Sequence, residues 1–333
     1  MQAVGFTGIG PTLQDLPIPS PASQEVLVHV QHSGLSVLDL AWHTRSAGIV
    51  PGHEMAGEVA DVGREVHGWS VGDRVAVSRL CACGKCLYCG LGRPALCDQR
   101  GEIGLDRDGG LAEYVAVPAR NLYHLPDSAD WALAASVDPL ASALPAVHRA
   151  SIMFEDTVVI LGAGALGLYA AQLVRLAGPQ RLIVLGRGAG RLAVARVWAD
   201  EVVDVAAEDG LDVVRRLTGG QGAHVVIEAS GNLEAAAEAV RLAGRAGRVA
   251  LLGAYPQPAP VPVREIVQRE IQLYGTWGYS PDEYLQALSL LMGGHVRYQP
   301  LVTHTLPLTE LDRALAIIAN REAIKVHLAP GEK

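Results

Sequence analysis

The chain has 333 residues, enough for about two domains at roughly 150 residues each, which excludes a peptide or a disulfide-stapled miniprotein. Half of its residues are hydrophobic and 19% are charged, and its 37 glycines and 19 prolines follow no collagen period, so it reads as globular and not disordered. Twenty-seven basic against 35 acidic residues give a net charge of -8 with no basic stripe, so neither a nucleic acid nor a membrane surface is an expected partner.

Lys85, Lys325 and Lys333 are the only lysines; nearly all positive charge is arginine, a base-composition bias without functional content. All five cysteines fall within 81–97, a clustering that one metal site explains better than an extracellular disulfide framework. The start, MQAVGFTGIG, has neither a basic region nor a long apolar run, so a cytoplasmic protein is expected. Residues 157–174 carry no charge and are long enough to suggest a membrane span, but Gly162, Gly164 and Gly167 break the run into strand, turn and helix.

Up to about residue 125 the pattern is one of short strands separated by Gly, Pro and Asp: 26–30, 57–62, 73–77 and 112–117. An alanine-rich segment over 130–150 reads as helix interrupted at Pro139 and Pro145. Alternation follows, with strands near Val158, Leu182, His224, Arg248 and Ile271 and helical runs near Ala170, Ala193, Leu233 and Val263, the signature of a parallel, doubly wound α/β sheet. The tail holds amphipathic runs at 283–291 and 310–319 and a strand at 325–328, and no internal repeat occurs.

The most specific motif is C-x2-C-x2-C-x7-C, formed by Cys83, Cys86, Cys89 and Cys97. Four thiolates can close a tetrahedral shell around zinc, and a shell with no open position is structural. Cys81 lies outside the set and is expected to be a bystander thiol.

Gly162, Gly164 and Gly167 form G-x-G-x-x-G between a β-branched run and a helical run, the context in which such a turn holds a dinucleotide pyrophosphate at a helix N-terminus. At the end of the next strand, where an acidic residue would take the ribose hydroxyls of NAD, stands Gly186, followed by Arg187 and Arg191. A missing carboxylate and two guanidinium groups favour a 2'-phosphate, hence NADP(H) over NAD(H).

A third motif, P-G-H-E-M-A-G-E-V-A-D-V-G at 51–63 followed by G-D-R-V, completes a pattern with the four cysteines, the Asp138-Pro139-Leu140 segment and the nucleotide turn. In this order the motifs resemble the zinc-containing medium-chain dehydrogenase/reductase family of alcohol, sorbitol and threonine dehydrogenases, along essentially the whole chain. The resemblance implies a GroES-like β-rich domain over 1–140 completed by 287–333, a Rossmann domain over 141–286, a site in the cleft between them, and a homodimer or homotetramer. It also implies that His53 is a ligand of a catalytic zinc, that Glu54 ligates or supports it, and that Asp138 stands where relatives place a cysteine or glutamate near the metal.

The departure lies at G-L-S-V-L-D, 34–39. Ser36 stands at the ligand cysteine and Leu38 at the hydroxyl residue of the usual proton relay, while Asp39 is kept. A hydroxyl is a far poorer zinc ligand than a thiolate. His53, Glu54 and Asp138 with water are nevertheless expected to hold an atypical zinc, with His43 as a substitute acid. The expected activity is hydride transfer between NADP(H) and an alcohol or ketone of polyol or aminocyclitol type. The alternatives are a zinc-free NADPH-dependent enone or quinone reductase and a nucleotide-binding protein without catalysis.

Overall fold

In the computed structural model, residues 1–7, 10–36, 39 and 48–330 are described. They form two units, one from 1–138 and 279–333, the other from 139–278.

The first unit is built on a seven-stranded sheet. Its strands run in the order Val302–Pro307, Lys325–Ala329, Glu25–Leu35, Glu54–Val62, Arg74–Val77 and Leu122–His124, with Tyr114–Pro118 pairing antiparallel to Glu25–Leu35. Alternate residues of Tyr114–Pro118 are buried, the period of a strand with one face on a core. That core gathers Val26, Val28, Val30, Met55, Val59, Val75 and Val77. The C-terminal strand joins the sheet of the N-terminal segment through Val326, His327 and Leu328, opposite Leu35, Gly34 and Ser33.

The second unit carries a six-stranded, wholly parallel sheet in the order Glu201–Asp204, Arg181–Gly186, Thr157–Leu161, Ala223–Glu228, Ala243–Leu251 and Gln272–Gly275. Numbered along the chain this is 3-2-1-4-5-6, the doubly wound order whose direction reverses beside the first strand. Val158, Val159 and Ile160 are fully buried, as are Leu182–Leu185 in the neighbouring strand, which is why both read as continuous apolar runs. Each such side chain stabilises the fold by about 1.5–3 kcal/mol relative to exposure. The Glu201–Asp204 strand, too short and charged to stand out in the sequence, completes the sheet.

The sequence places the helical break of the 130–150 segment at its prolines, and the structure moves it. One helix, Trp131–Ala135, is capped by Asp130 and ends at Ser136; the next, Val137–Ala150, runs through both prolines. Pro139 lies in the first turn, where a backbone N–H has no intrahelical partner to lose, while Pro145 sits inside the helix. The division between units falls after Asp138 and after Gly278, two and eight residues before the 140 and 286 read from sequence, because Tyr279 and Tyr284 pack with the β-rich unit. Among the described residues no helix is long and apolar enough to cross a membrane; the uncharged run at 157–174 divides into the Thr157–Leu161 strand and the Ala165–Ala177 helix.

Candidate active site and metal centres

Cys83, Cys86, Cys89 and Cys97 lie on a small lobe shaped by the Leu87–Gly90 helical turn and the Pro94–Leu96 turn. Their sulfur atoms all lie within 4.8 Å of one another. A zinc at about 2.3 Å from each of four sulfurs separates them by about 3.8 Å, so the cage needs little contraction to close on the ion. Backbone N–H groups of Cys83 and Gln99 donate to Cys97 Sγ at 3.2 and 3.3 Å. Backbone N–H groups of Cys89 and Asp98 bring Cys86 down to about 6, whereas burial and the neighbouring Cys86 push Cys89 up to about 12. Four thiolates this close need a cation to ionise together. Cys81 stands apart, buried, its thiol donating to Asn121 Oδ1 at 3.9 Å.

The nucleotide turn shows why each of its glycines is glycine. Gly162 has φ +118°, and a Cβ there would lie 2.9 Å from the Ser230 nitrogen. A Cβ on Gly167 would lie 1.9 Å from the Gly162 carbonyl oxygen, so helix and strand approach only through hydrogen. Gly164, the N-cap of the Ala165–Ala177 helix, faces open space with nothing within 4 Å of its Cβ position, room for a pyrophosphate against the backbone. Gly186 ends the second strand, where an added Cβ would meet Ala163 Cβ at 2.5 Å. A side chain at this position would require Ala163 and the turn to shift. Arg187 follows, exposed, and Arg191 lies in the Ala189–Ala195 helix.

One acidic group of this unit escapes a motif search. Glu228, fully buried at the end of the fourth parallel strand, accepts from the Ser230 backbone N–H at 2.6 Å, from the Ser230 hydroxyl, and from the Tyr255 hydroxyl. It holds the 229–231 loop against Gly162, and its signal was a charge closing the apolar run H-V-V-I-E.

In the β-rich unit, His53 is buried and its Nδ1 hydrogen-bonds Asp39 Oδ1 at 2.8 Å. Asp39 Oδ2 accepts from the Ser36 N–H at 2.8 Å. Burial lowers the imidazole's affinity for a proton, but the charge and hydrogen bond of Asp39 outweigh it and raise the pKa. Glu54 Oε1 lies 3.9 Å from His53 Nε2, while both Glu54 oxygens meet Lys325 Nζ, at 2.6 and 2.5 Å. Asp138 is ion-paired through Oδ1 with Arg79 and accepts from the Tyr279 hydroxyl through Oδ2. Arg79 Nε reaches Glu102 at 3.2 Å, and its guanidinium lies 5.2 Å from the Tyr279 ring centroid. Burial opposes the Arg79 charge, but Asp138, Tyr279, Glu102 and Glu54 raise its pKa still further. His43 and Leu38 lie outside the described residues.

An alcohol dehydrogenase GroES-like domain matches at residues 22–127 and a zinc-binding dehydrogenase domain at 165–292. The sorbitol dehydrogenase of Halalkalibacterium halodurans is 36% identical, covering 96% of this chain and 95% of its own, and the L-threonine 3-dehydrogenase of Symbiobacterium thermophilum is 34% identical, covering 98% and 96%. The chain belongs to the zinc-type medium-chain dehydrogenase/reductase family. A zinc-binding dehydrogenase of Sinorhizobium meliloti, solved with NADP bound, superposes with a TM-score of 0.89 at 30% identity over 99% of both chains. The protein is accordingly an NAD(P)-dependent oxidoreductase of the alcohol-dehydrogenase type, with a GroES-like and a Rossmann-type unit.

Within this family two zinc sites are in question, and the donor sets fit them differently. The four-cysteine cage fits. The cluster expected to hold zinc through His53, Glu54 and Asp138 does not. A catalytic zinc takes three protein ligands with an open fourth position. Here Asp138 is engaged by Arg79 and Tyr279, Glu54 by Lys325, and Ser36 supplies no thiolate. His53 alone keeps the geometry of a ligand, with Nδ1 on a carboxylate and Nε2 turned away from it. The sequence reading counted ligand types and missed Arg79, Tyr279, Glu102 and Lys325. Two of these left a trace, because V-A-V-S-R-L and I-K-V-H-L-A each place a cation within a largely apolar run, where it must find a buried carboxylate.

Proposed function

We propose that this protein transfers hydride between NADP(H) and the carbinol or carbonyl carbon of a small, polar, polyol-like substrate. The observation that carries the cofactor choice is Gly186, which supplies no ribose-binding carboxylate and is followed by Arg187 and Arg191. A 2'-phosphate meets no carboxylate at position 186 itself and gains charge-assisted hydrogen bonds from the arginines that follow. The nicotinamide supplies or takes the hydride, and the protein's task is to position both partners and handle the proton. Whole-length relatives named sorbitol and L-threonine dehydrogenase support the substrate class, and support catalysis over a mere nucleotide-binding role. The proposed site residues are Gly162, Gly164, Gly167, Gly186, Arg187 and Arg191 for the nucleotide, His53, Glu54 and Asp39 in the catalytic cluster, and Cys83, Cys86, Cys89 and Cys97 for a structural zinc. We read the protein as cytoplasmic, in keeping with five cysteines that form no disulfide, and, from its family, as a homodimer or homotetramer.

A second reading, reduction of an enone or quinone by NADPH, is favoured by the Arg79–Asp138 pair, which takes a ligand from a carbonyl-polarising zinc. The two readings separate on one panel. Polyols with NADP+ and their ketones with NADPH should turn over at least about tenfold faster than with the 2'-unphosphorylated cofactor, the effect of about 1.4 kcal/mol. Turnover of enones alone would transfer the conclusion to the second reading, and equal use of NAD(H) would remove the NADP(H) preference.

A further inference from the structure

Four acidic side chains of the β-rich unit are buried, Asp39 and Glu54 beside His53 and Glu102 and Asp138 on Arg79. In a metalloenzyme such a concentration of charge is balanced by the ion; here it meets side-chain cations. Arg79 spans Glu102 and Asp138, Arg100 Nε reaches the other oxygen of Glu102 at 3.2 Å, and Lys325 takes both oxygens of Glu54. The planar guanidinium is also flanked by an aromatic ring, and the Tyr279 hydroxyl that holds Asp138 accepts from the Arg79 backbone N–H and from the Ser78 hydroxyl, both at 3.3 Å. The Arg79 side chain is 9% exposed and Asp138 2%, so little water is available to screen them. A buried pair of this kind is worth keeping only when its hydrogen bonds are made, and these are made on three sides.

We propose that the Arg79 guanidinium is the resident cation of the His53–Glu54–Asp138 cluster and takes the place of the family's catalytic metal, so that the chain holds at most one zinc, at its four cysteines. Two independent features of the chain agree. Asp138 is turned into a partner for arginine and tyrosine, and the position of the expected thiolate ligand is Ser36, which cannot neutralise a divalent ion. A divalent ion brought to His53 Nε2 would have to displace Arg79 from Asp138 or share the carboxylate with a fixed positive charge. The inference goes beyond the proposed reaction, and its test needs no substrate.

The test counts zinc by elemental analysis in full-length protein equilibrated with excess zinc and then desalted. In Cys89→Ser, which breaks the cysteine cage, no zinc should remain. Zinc that stays in Cys89→Ser and is lost on adding His53→Ala would overturn the proposal. If Cys89→Ser does not fold, the unmodified protein decides: at most one zinc per chain supports the proposal and two overturn it. A gain of function completes the test. Arg79→Ala with Ser36→Cys removes the resident cation and restores a thiolate, and it should raise the count by one zinc per chain. A folded double variant with an unchanged count would show that the guanidinium is not what keeps the metal out.

Discussion

Lys325 Nζ stands 2.6 Å from Glu54 Oε1, with both side chains buried, and so joins the last strand of the chain to the strand that follows His53. The contact spans 271 positions of sequence within one sheet. Removing the ammonium leaves a carboxylate out of water without a partner. Lys325→Met should therefore cost about 3–5 kcal/mol of stability, read as a shift in the urea midpoint. Adding Glu54→Gln to that variant should recover a large part of the loss, because the uncompensated charge is gone. A double variant no more stable than Lys325→Met would mean that packing of the lysine stem, and not its charge, holds the strand.

The pair also shows what a sequence can and cannot tell about this molecule. The two units, the nucleotide turn and the cysteine cage were legible because each depends on residues near in sequence: periodic strands, three glycines within six positions, four cysteines within fifteen. The charge balance around His53 was not, because Arg79, Asp138, Tyr279 and Lys325 are brought together only by tertiary folding. Identical ligand types at His53, Glu54 and Asp138 can hold a metal or an arginine, and only the partners distinguish the two. The prolines of the Val137–Ala150 helix misled for the opposite reason: local propensity was overridden by a buried, continuous helix.

Cys89 supplies the third thiolate of the cage, and Ser in its place offers a weaker ligand at neutral pH. Cys89→Ser should release one zinc per chain relative to the unmodified protein and expose the 83–97 lobe to proteolysis, since metal binding and local folding are coupled. The readouts are zinc content and the position of the first cleavage by a nonspecific protease. A variant with undiminished zinc and an intact lobe would remove the cage from the metal sites.

Arg187 and Gly186 make separable predictions about the nucleotide. Arg187→Ala should weaken NADPH by about 1.5–3 kcal/mol, the scale of a hydrogen bond to a charged group, and leave NADH nearly unchanged. Gly186→Asp, the change that would be made to convert the site to NAD, should impair both cofactors, because its Cβ would lie 2.5 Å from Ala163 Cβ in the phosphate turn. Fluorescence titration of NADPH and NADH against both variants checks this. A Gly186→Asp protein that binds NADH tightly would show that the turn relaxes around a side chain.

His327 makes stability depend on pH. It is fully buried on the Lys325–Ala329 strand, edge-on to His32 with ring centroids 5.9 Å apart, and among the described residues neither of its ring nitrogens has a hydrogen-bond partner. Burial, then the charge of Lys325 and the nearby His32, hold its pKa well below the usual histidine value. The folded protein therefore keeps this imidazole neutral where the unfolded chain, with a pKa of about 6.5, begins to bind a proton. The unfolded state binds more protons as pH falls below that value, so stability is lost on acidification through this window. At pH 5.5 the loss from this one group is about 1.4 kcal/mol. His327→Leu removes the titration, so the urea midpoint of the unmodified protein should fall more between pH 7.5 and pH 5.5 than that of the variant, by an amount equivalent to about 1.4 kcal/mol. Parallel declines in the two proteins would show that the ring takes up its proton inside the fold, with a partner that neutral imidazole does not have.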